Sequence, residues 1–169
     1  MNALCSEAAV AKAAAATLTT PCRRAMLLIE RIRNAYGQIY AVLSYEPDKN
    51  YLLMKWSGFC TEEEVKAASL RMLDWQRTQG RAKGCKFHVH DTNEIESAWA
   101  GLVDWINNEL FPDCFQAGLR YNVSILSPDL FSRLSSQALY QKQNAKVPTV
   151  LCQTLSQAEG WIAQKYKEL

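Results

Sequence analysis

β-forming residues crowd two adjoining stretches, Ile39 to Tyr45 and Tyr51 to Trp56, joined by Glu46-Pro47-Asp48-Lys49-Asn50. The pair predicts a β-hairpin over residues 39–57, because Pro and Asp favour a turn between two such runs. Thr61-Glu62-Glu63-Glu64 is a capping box, and Val65, Ala68, Met72 and Leu73 mark the buried stripe of the helix it opens. Gly80 marks that helix's expected end. Cys85 to His90 reads as a short strand, and Asp91 to Glu94 repeats a capping pattern. The clearest helical periodicity follows, in Ile95, Ala98, Trp99, Leu102, Ile106 and Leu110, with Pro112 expected to interrupt it and Gly118 to close the turn after it. Leu119 to Leu126 alternates as a strand, and Ser127-Pro128 predicts a helix over about 128–143. Val147 to Cys152 is the last strand. Thr154 to Gln157 caps a final helix with the stripe Leu155, Ala158, Ile162 and Tyr166.

The expected order is therefore ββαβαβαβα. It describes an α/β domain whose mixed sheet is opened by an antiparallel hairpin and continued by right-handed βα crossovers. Met1 to Thr20 departs from this pattern: it is Ala-rich, without an amphipathic stripe, and Thr19-Thr20-Pro21 breaks it. Residues 1–25 are expected to be a disordered extension or a frayed helix, and residues 26–169 a single domain.

Composition narrows the classes. A chain of 169 residues is the length of one domain, and its 49% apolar content supplies enough surface to offset the entropy of ordering. Lys plus Arg total 19 and Asp plus Glu 17, and a net charge of +2 removes the electrostatic argument for a nucleic-acid partner. No apolar stretch approaches the ~20 residues that cross a bilayer, so membrane insertion is not expected. The six cysteines are scattered, with no C-x-x-C and no secretory signal ahead of them. They read as reduced, mostly buried thiols in a cytoplasmic, bacterial-type protein.

Few strings carry candidate chemistry. His88-Val89-His90-Asp91 sets both histidines of the chain on one strand face, as metal ligands are often set, but a third ligand would have to come from Asp91, a cysteine or a carboxylate elsewhere. Lys86, His88 and His90 share one side of their strand, and Arg120, Asn122 and Ser124 one side of another. If these sides coincide, the sheet presents a basic, hydrogen-bonding face, either merely solvated or suited to a small anionic ligand. No G-x-S-x-G, phosphate-binding loop or cofactor signature is present, and enzymatic activity is not expected. Trp99 belongs to a core stripe. Trp75, Trp105 and Trp161 lie at or beyond stripe edges, where partial burial and a contact surface for a partner or a second copy are the alternatives.

Four strings, Tyr51-Leu52-Leu53-Met54-Lys55-Trp56-Ser57-Gly58, Leu110-Phe111-Pro112, Ala117-Gly118-Leu119 and Leu126-Ser127-Pro128-Asp129, carry a resemblance across residues 26–166. The chain resembles the STAS-like family of the bacterial anti-anti-sigma factors, whose fold is also compared with CRAL-TRIO lipid-transfer domains. In the anti-anti-sigma factors a serine after an aspartate, at the end of the third strand, is phosphorylated to control partner binding. Asp91-Thr92-Asn93 occupies that place without the usual Ser-Gly continuation. The resemblance implies a binding or regulatory module for a protein partner, with Asp91, Thr92 and Asn93 as a switch or simply as a helix cap. The alternative it implies is a carrier of a small apolar or amphipathic ligand.

Overall fold

The computed structural model describes residues 24–169. The expectations for Met1 to Arg23, including Cys5 and Cys22, lie outside the described residues. Within them the chain forms a six-stranded sheet in strict sequence order, β1 (Leu27–Arg33), β2 (Ile39–Glu46), β3 (Tyr51–Gly58), β4 (Phe87–Ile95), β5 (Tyr121–Ile125) and β6 (Thr149–Cys152). The first three strands pair antiparallel and the last four parallel. The mixed α/β sheet and its opening hairpin match the expected class. The order gains one strand, β1, whose open edge leaves Leu27, Leu28 and Ile29 exposed and so gives no alternating burial signature.

Neighbouring parallel strands that follow one another in sequence require crossovers of one hand, and these lie on one face of the sheet. α1 (Glu62–Trp75) makes the first crossover. It opens on the expected capping box, with the Glu64 N–H donating to the Thr61 hydroxyl at 3.2 Å and the Thr61 N–H donating to the Glu64 carboxylate at 2.9 Å. It does not stop at Gly80. A π-helical turn, Gln76–Gly80, leads into a short helix, α2 (Arg81–Lys83), which ends at Gly84 with φ +65°. The second crossover is a 3-10 turn (Ala100–Leu102), α3 (Val103–Trp105), a π-helical turn (Ile106–Leu110) and α4 (Phe111–Gln116) in one unbroken run. Pro112 does not interrupt it. The wider π turn relieves the clash between a proline ring and the carbonyl four residues before it. α5 (Leu130–Lys142) makes the third crossover, with Asp129 as its N-cap rather than Ser127. α6 (Leu155–Tyr166) opens on Thr154 and covers the opposite face.

Two cores result. On the crossover face Leu43, Leu52, Met54 and Trp56 meet α1 and the second crossover. On the opposite face Tyr51, Leu53, Phe87, Val89, Val123 and Ile125 meet Ala158 and Ile162 of α6, with Leu155 and Tyr166 packed against them. The final helix thus lies on the sheet by its expected stripe. Trp75 proves to be core, tilted against Tyr45 at 5.0 Å, while Trp105 and Trp161 are half-buried.

α5 is turned contrary to its composition. Ser132, Ser135, Ser136 and Leu139 face inward, whereas Leu130, Phe131 and Leu134 are 61%, 62% and 50% exposed. The serines are small, and Ser135 and Ser136 carry their own partners, whereas the Ser132 hydroxyl is buried without one among the described residues. The Ser135 hydroxyl accepts from the Trp99 N–H at 3.0 Å and donates to the Phe131 carbonyl at 2.9 Å, and Ser136 bonds Ser124 of β5 at 3.3 Å.

The capping box satisfies two backbone N–H donors at the start of α1. Replacing Thr61 by Ala is expected to cost about 1 kcal/mol, read as a lower urea midpoint at unchanged m-value. An unmoved midpoint would show that the box adds nothing to stability.

Candidate functional site

The site lies on the crossover face, over the carboxyl-terminal halves of β3, β4 and β5. The parallel register sets His88 beside Asn122 and His90 beside Ser124. The two polar sides inferred from sequence therefore coincide, but not as a solvated face. His88 and Asn122 are each 3% exposed and Ser124 is buried, because three successive crossovers cover them. Lys86 and Arg120 fall outside the group. Both precede their strands, and the Arg120 guanidinium donates to the Phe115 and Leu119 carbonyls at 3.1 and 2.8 Å while lying 4.3 Å over the Phe115 ring. The basic, anion-binding face expected from Lys86, His88, His90, Arg120 and Asn122 is not formed.

Asp91, Thr92 and Asn93 require a second correction. They do not open a helix; β4 continues through them to Ile95. Between the pairs Lys55–Asp91 and Ser57–Glu94 the register slips, one residue of β3 opposing two of β4. Thr92 stays inward, 3% exposed, and its hydroxyl donates to the Ile125 carbonyl at 2.5 Å. Asp91 accepts from the N–H and side-chain amide of exposed Asn93 at 3.1 and 2.8 Å. Thr92 is thus neither a cap nor open to a modifying enzyme. The carboxylate and amide spacing that imitates a capping box here serves a bend within the strand.

Each histidine is held in one tautomer by a neighbour that leaves no choice. The Gln76 amide donates to the Cys85 and Ala117 carbonyls at 2.8 and 3.3 Å, so its oxygen is left to accept, and His88 Nε2–H donates to it at 3.1 Å. The Trp56 indole is only a donor, and it donates to His90 Nδ1 at 3.2 Å with the two rings stacked 11° apart. His90 therefore carries its proton on Nε2. Burial drives both rings toward the neutral form, His88 down to about 3 and His90 to about 4.

A cavity of about 50 Å³ lies against His90. Trp56, Val65, Ile95, Trp99, Ile106 and Leu139 are among its apolar walls, and Ser69, Thr92, Asn122 and Ser124 also line it. The Thr92 and Ser69 hydroxyls are committed to the carbonyls of Ile125 and Val65. Residues from every crossover contribute. Periodicity had placed Ile95, Trp99 and Ile106 in a helical core stripe, and nothing in their spacing marks a cavity wall.

Among the described residues no group of three or more His, Cys, Asp or Glu side chains is placed to hold a metal ion. Cys60, Cys85, Cys114 and Cys152 are buried free thiols, and burial pushes the first three up to about 12. No described helix is long and apolar enough to cross a membrane. No family model matches the chain, and neither a curated protein nor a solved structure matches it.

Gly80 supports this arrangement. A Cβ there would stand 2.6 Å from Gln76 Oε1 and 2.9 Å from the Trp75 ring. Gly80→Ala is expected to displace the Gln76 amide from His88 and cost about 1–3 kcal/mol, measured by urea unfolding. Acid stability supplies a second check. In the unfolded chain both rings titrate near 6.5, so below that pH the unfolded state binds protons that the folded state refuses. The histidine contribution to stability is complete above pH 6.5 and falls as the pH drops toward about 4. Its slope is at most ~1.4 kcal/mol per pH unit for each ring. His88→Gln should remove about half of it, and a variant that keeps the wild-type slope between pH 7 and 5 would contradict the assignment.

Proposed function

We propose that the chain is a STAS-like binding module without catalytic activity, which holds a small apolar or amphipathic group in the cavity beside His90. The observation that carries this reading is an apolar cavity that the fold keeps open at a cost. A void of about 50 Å³ forfeits about 1 kcal/mol relative to a filled core at ~24 cal/mol per Å³. Size limits the occupant. Cavities of ~150 Å³ admit benzene, so this one takes a group of a few heavy atoms or the tip of a longer ligand. Cysteine-based catalysis is disfavoured, since buried thiols pushed up to about 12 are poor nucleophiles.

One observation favours a second reading, a docking face for a protein partner. It is the outward apolar side of α5, Leu130, Phe131 and Leu134, rather than Asp91 to Asn93. The two readings separate, because Phe131→Ser would leave the cavity intact.

Xenon tests the first reading. Under pressure it is expected to shift the methyl resonances of Val65, Ile95, Ile106 and Leu139 before others, and Ser69→Leu, which projects into the cavity, should abolish that response. Native mass spectrometry of the protein purified from its own host should show a non-covalent mass that denaturation removes. A cavity closed to xenon in a protein that also carries no such mass overturns the reading.

A further inference from the structure

The cavity is not uniformly apolar, and two of the side chains that line it, His90 and Asn122, each have a polar atom without a described partner. His90 Nδ1 is occupied by the Trp56 indole, so the neutral ring carries its hydrogen on Nε2. No described residue accepts that hydrogen. Asn122 is 3% exposed and also lines the cavity. Its Nδ2 donates to Thr149 Oγ1 at 3.3 Å, and no described residue donates to its Oδ1. Both atoms belong to residues of adjacent parallel strands, and the Ser69 and Thr92 hydroxyls donate to backbone carbonyls while Ser124 bonds Ser136.

His90 is half-buried and Asn122 buried, and the donor of the one and the acceptor of the other each lack a hydrogen bond to a described residue that an occupant can supply. The geometry points to an uncharged hydroxyl as the group this cavity recognises, one that accepts from His90 Nε2–H and donates to Asn122 Oδ1, at the end of a short apolar skeleton. Charge is selected against from both signs. A carboxylate would meet the Asn122 carbonyl oxygen with no cation lining the cavity, and an ammonium would meet the His90 N–H with no carboxylate there. An ether or ketone satisfies His90 alone, and a hydrocarbon neither. The volume of about 50 Å³ admits the hydroxyl and one or two carbons. This assignment rests on the cavity being a ligand site, and it adds which chemistry the site reads.

Ethanol, dimethyl ether and propane are probes of matching size, with acetate and ethylammonium as charged controls. The experiment is an NMR titration of the full chain labelled with nitrogen-15 and carbon-13, with propane and the ether supplied under pressure. Ethanol should move the His90 Nε2–H and Asn122 side-chain amide resonances, and propane should move only the surrounding methyls. Acetate and ethylammonium should move none of these. The ethanol-to-propane affinity ratio should fall about tenfold in His90→Phe and again in Asn122→Val, about one hydrogen bond each. The wild-type resonances decide the matter even where a variant does not fold. Propane and ethanol shifting the His90 Nε2–H equally, or acetate binding as well as ethanol, would overturn the hydroxyl assignment while leaving the cavity reading in place. Failure of propane, ethanol and xenon alike to reach the cavity methyls would overturn both.

Discussion

Polar side chains on the covered face of a sheet have no water to turn to, and this chain places a row of them there. His88, Thr92, Asn122, Ser124 and Thr149 are each buried on β4, β5 or β6 beneath helices, and Gln76 and Ser136 reach down to them from above. An unpartnered group in such a place costs about 1–3 kcal/mol, so the helices must sit where they supply partners. Gln76 shows how far this reaches. Its one amide meets His88, Cys85 and Ala117, tying β4 to the ends of two crossovers. It occupies the first position of a π-helical turn, and Gly80 leaves it room.

The same constraint explains the orientation of α5. A helix with leucines and a phenylalanine on one side would ordinarily bury them. Here Ser136 must answer Ser124, and Ser135 must accept the N–H of Trp99, at the point where β4's chain turns into the second crossover. Turning the helix to bury Leu130, Phe131 and Leu134 would strip those groups of partners. Polar satisfaction wins over apolar burial here, because turning the helix would break the bonds of Ser135 to Trp99 and of Ser136 to Ser124, while Leu130, Phe131 and Leu134, each only partly exposed, forfeit only part of their transfer free energy.

Much of the architecture was legible in residues with local consequences. The hairpin, the capping box at Thr61, the alternation of β5 and the stripe of α6 all depend on neighbours a few positions away. What failed depended on partners far along the chain. Asp91 to Glu94 has the spacing of a cap, yet β4 continues because the Thr92 hydroxyl finds the Ile125 carbonyl across the sheet. Ile95, Ala98 and Trp99 have helical spacing, yet helix begins only at Ala100. β1 gave no signal because an edge strand with exposed leucines lacks alternation. The polar residues of the site were singled out by their shared side of the strand, and that part survived for His88, His90 and Asn122. Whether such a face meets water or helices is decided by the direction of the crossovers, which strand-by-strand periodicity does not encode.

The choice of histidine in this row is itself informative. A purely structural core would gain from an apolar residue at position 90, since burying an imidazole costs desolvation and makes the fold acid-sensitive. At position 88 the ring has a full structural explanation in Gln76. At position 90 only half the ring has one: Trp56 accounts for Nδ1, while the Nε2–H has no described acceptor on a ring that lines the cavity. Trp56 is a donor alone, so it both stacks on the imidazole and determines which nitrogen bears hydrogen. The tautomer is thereby fixed before any ligand arrives, and an occupant that accepts from it has no reorientation of the ring to offset. Preorganisation of this kind adds nothing to the packing of the core. It supports binding as the role of the site.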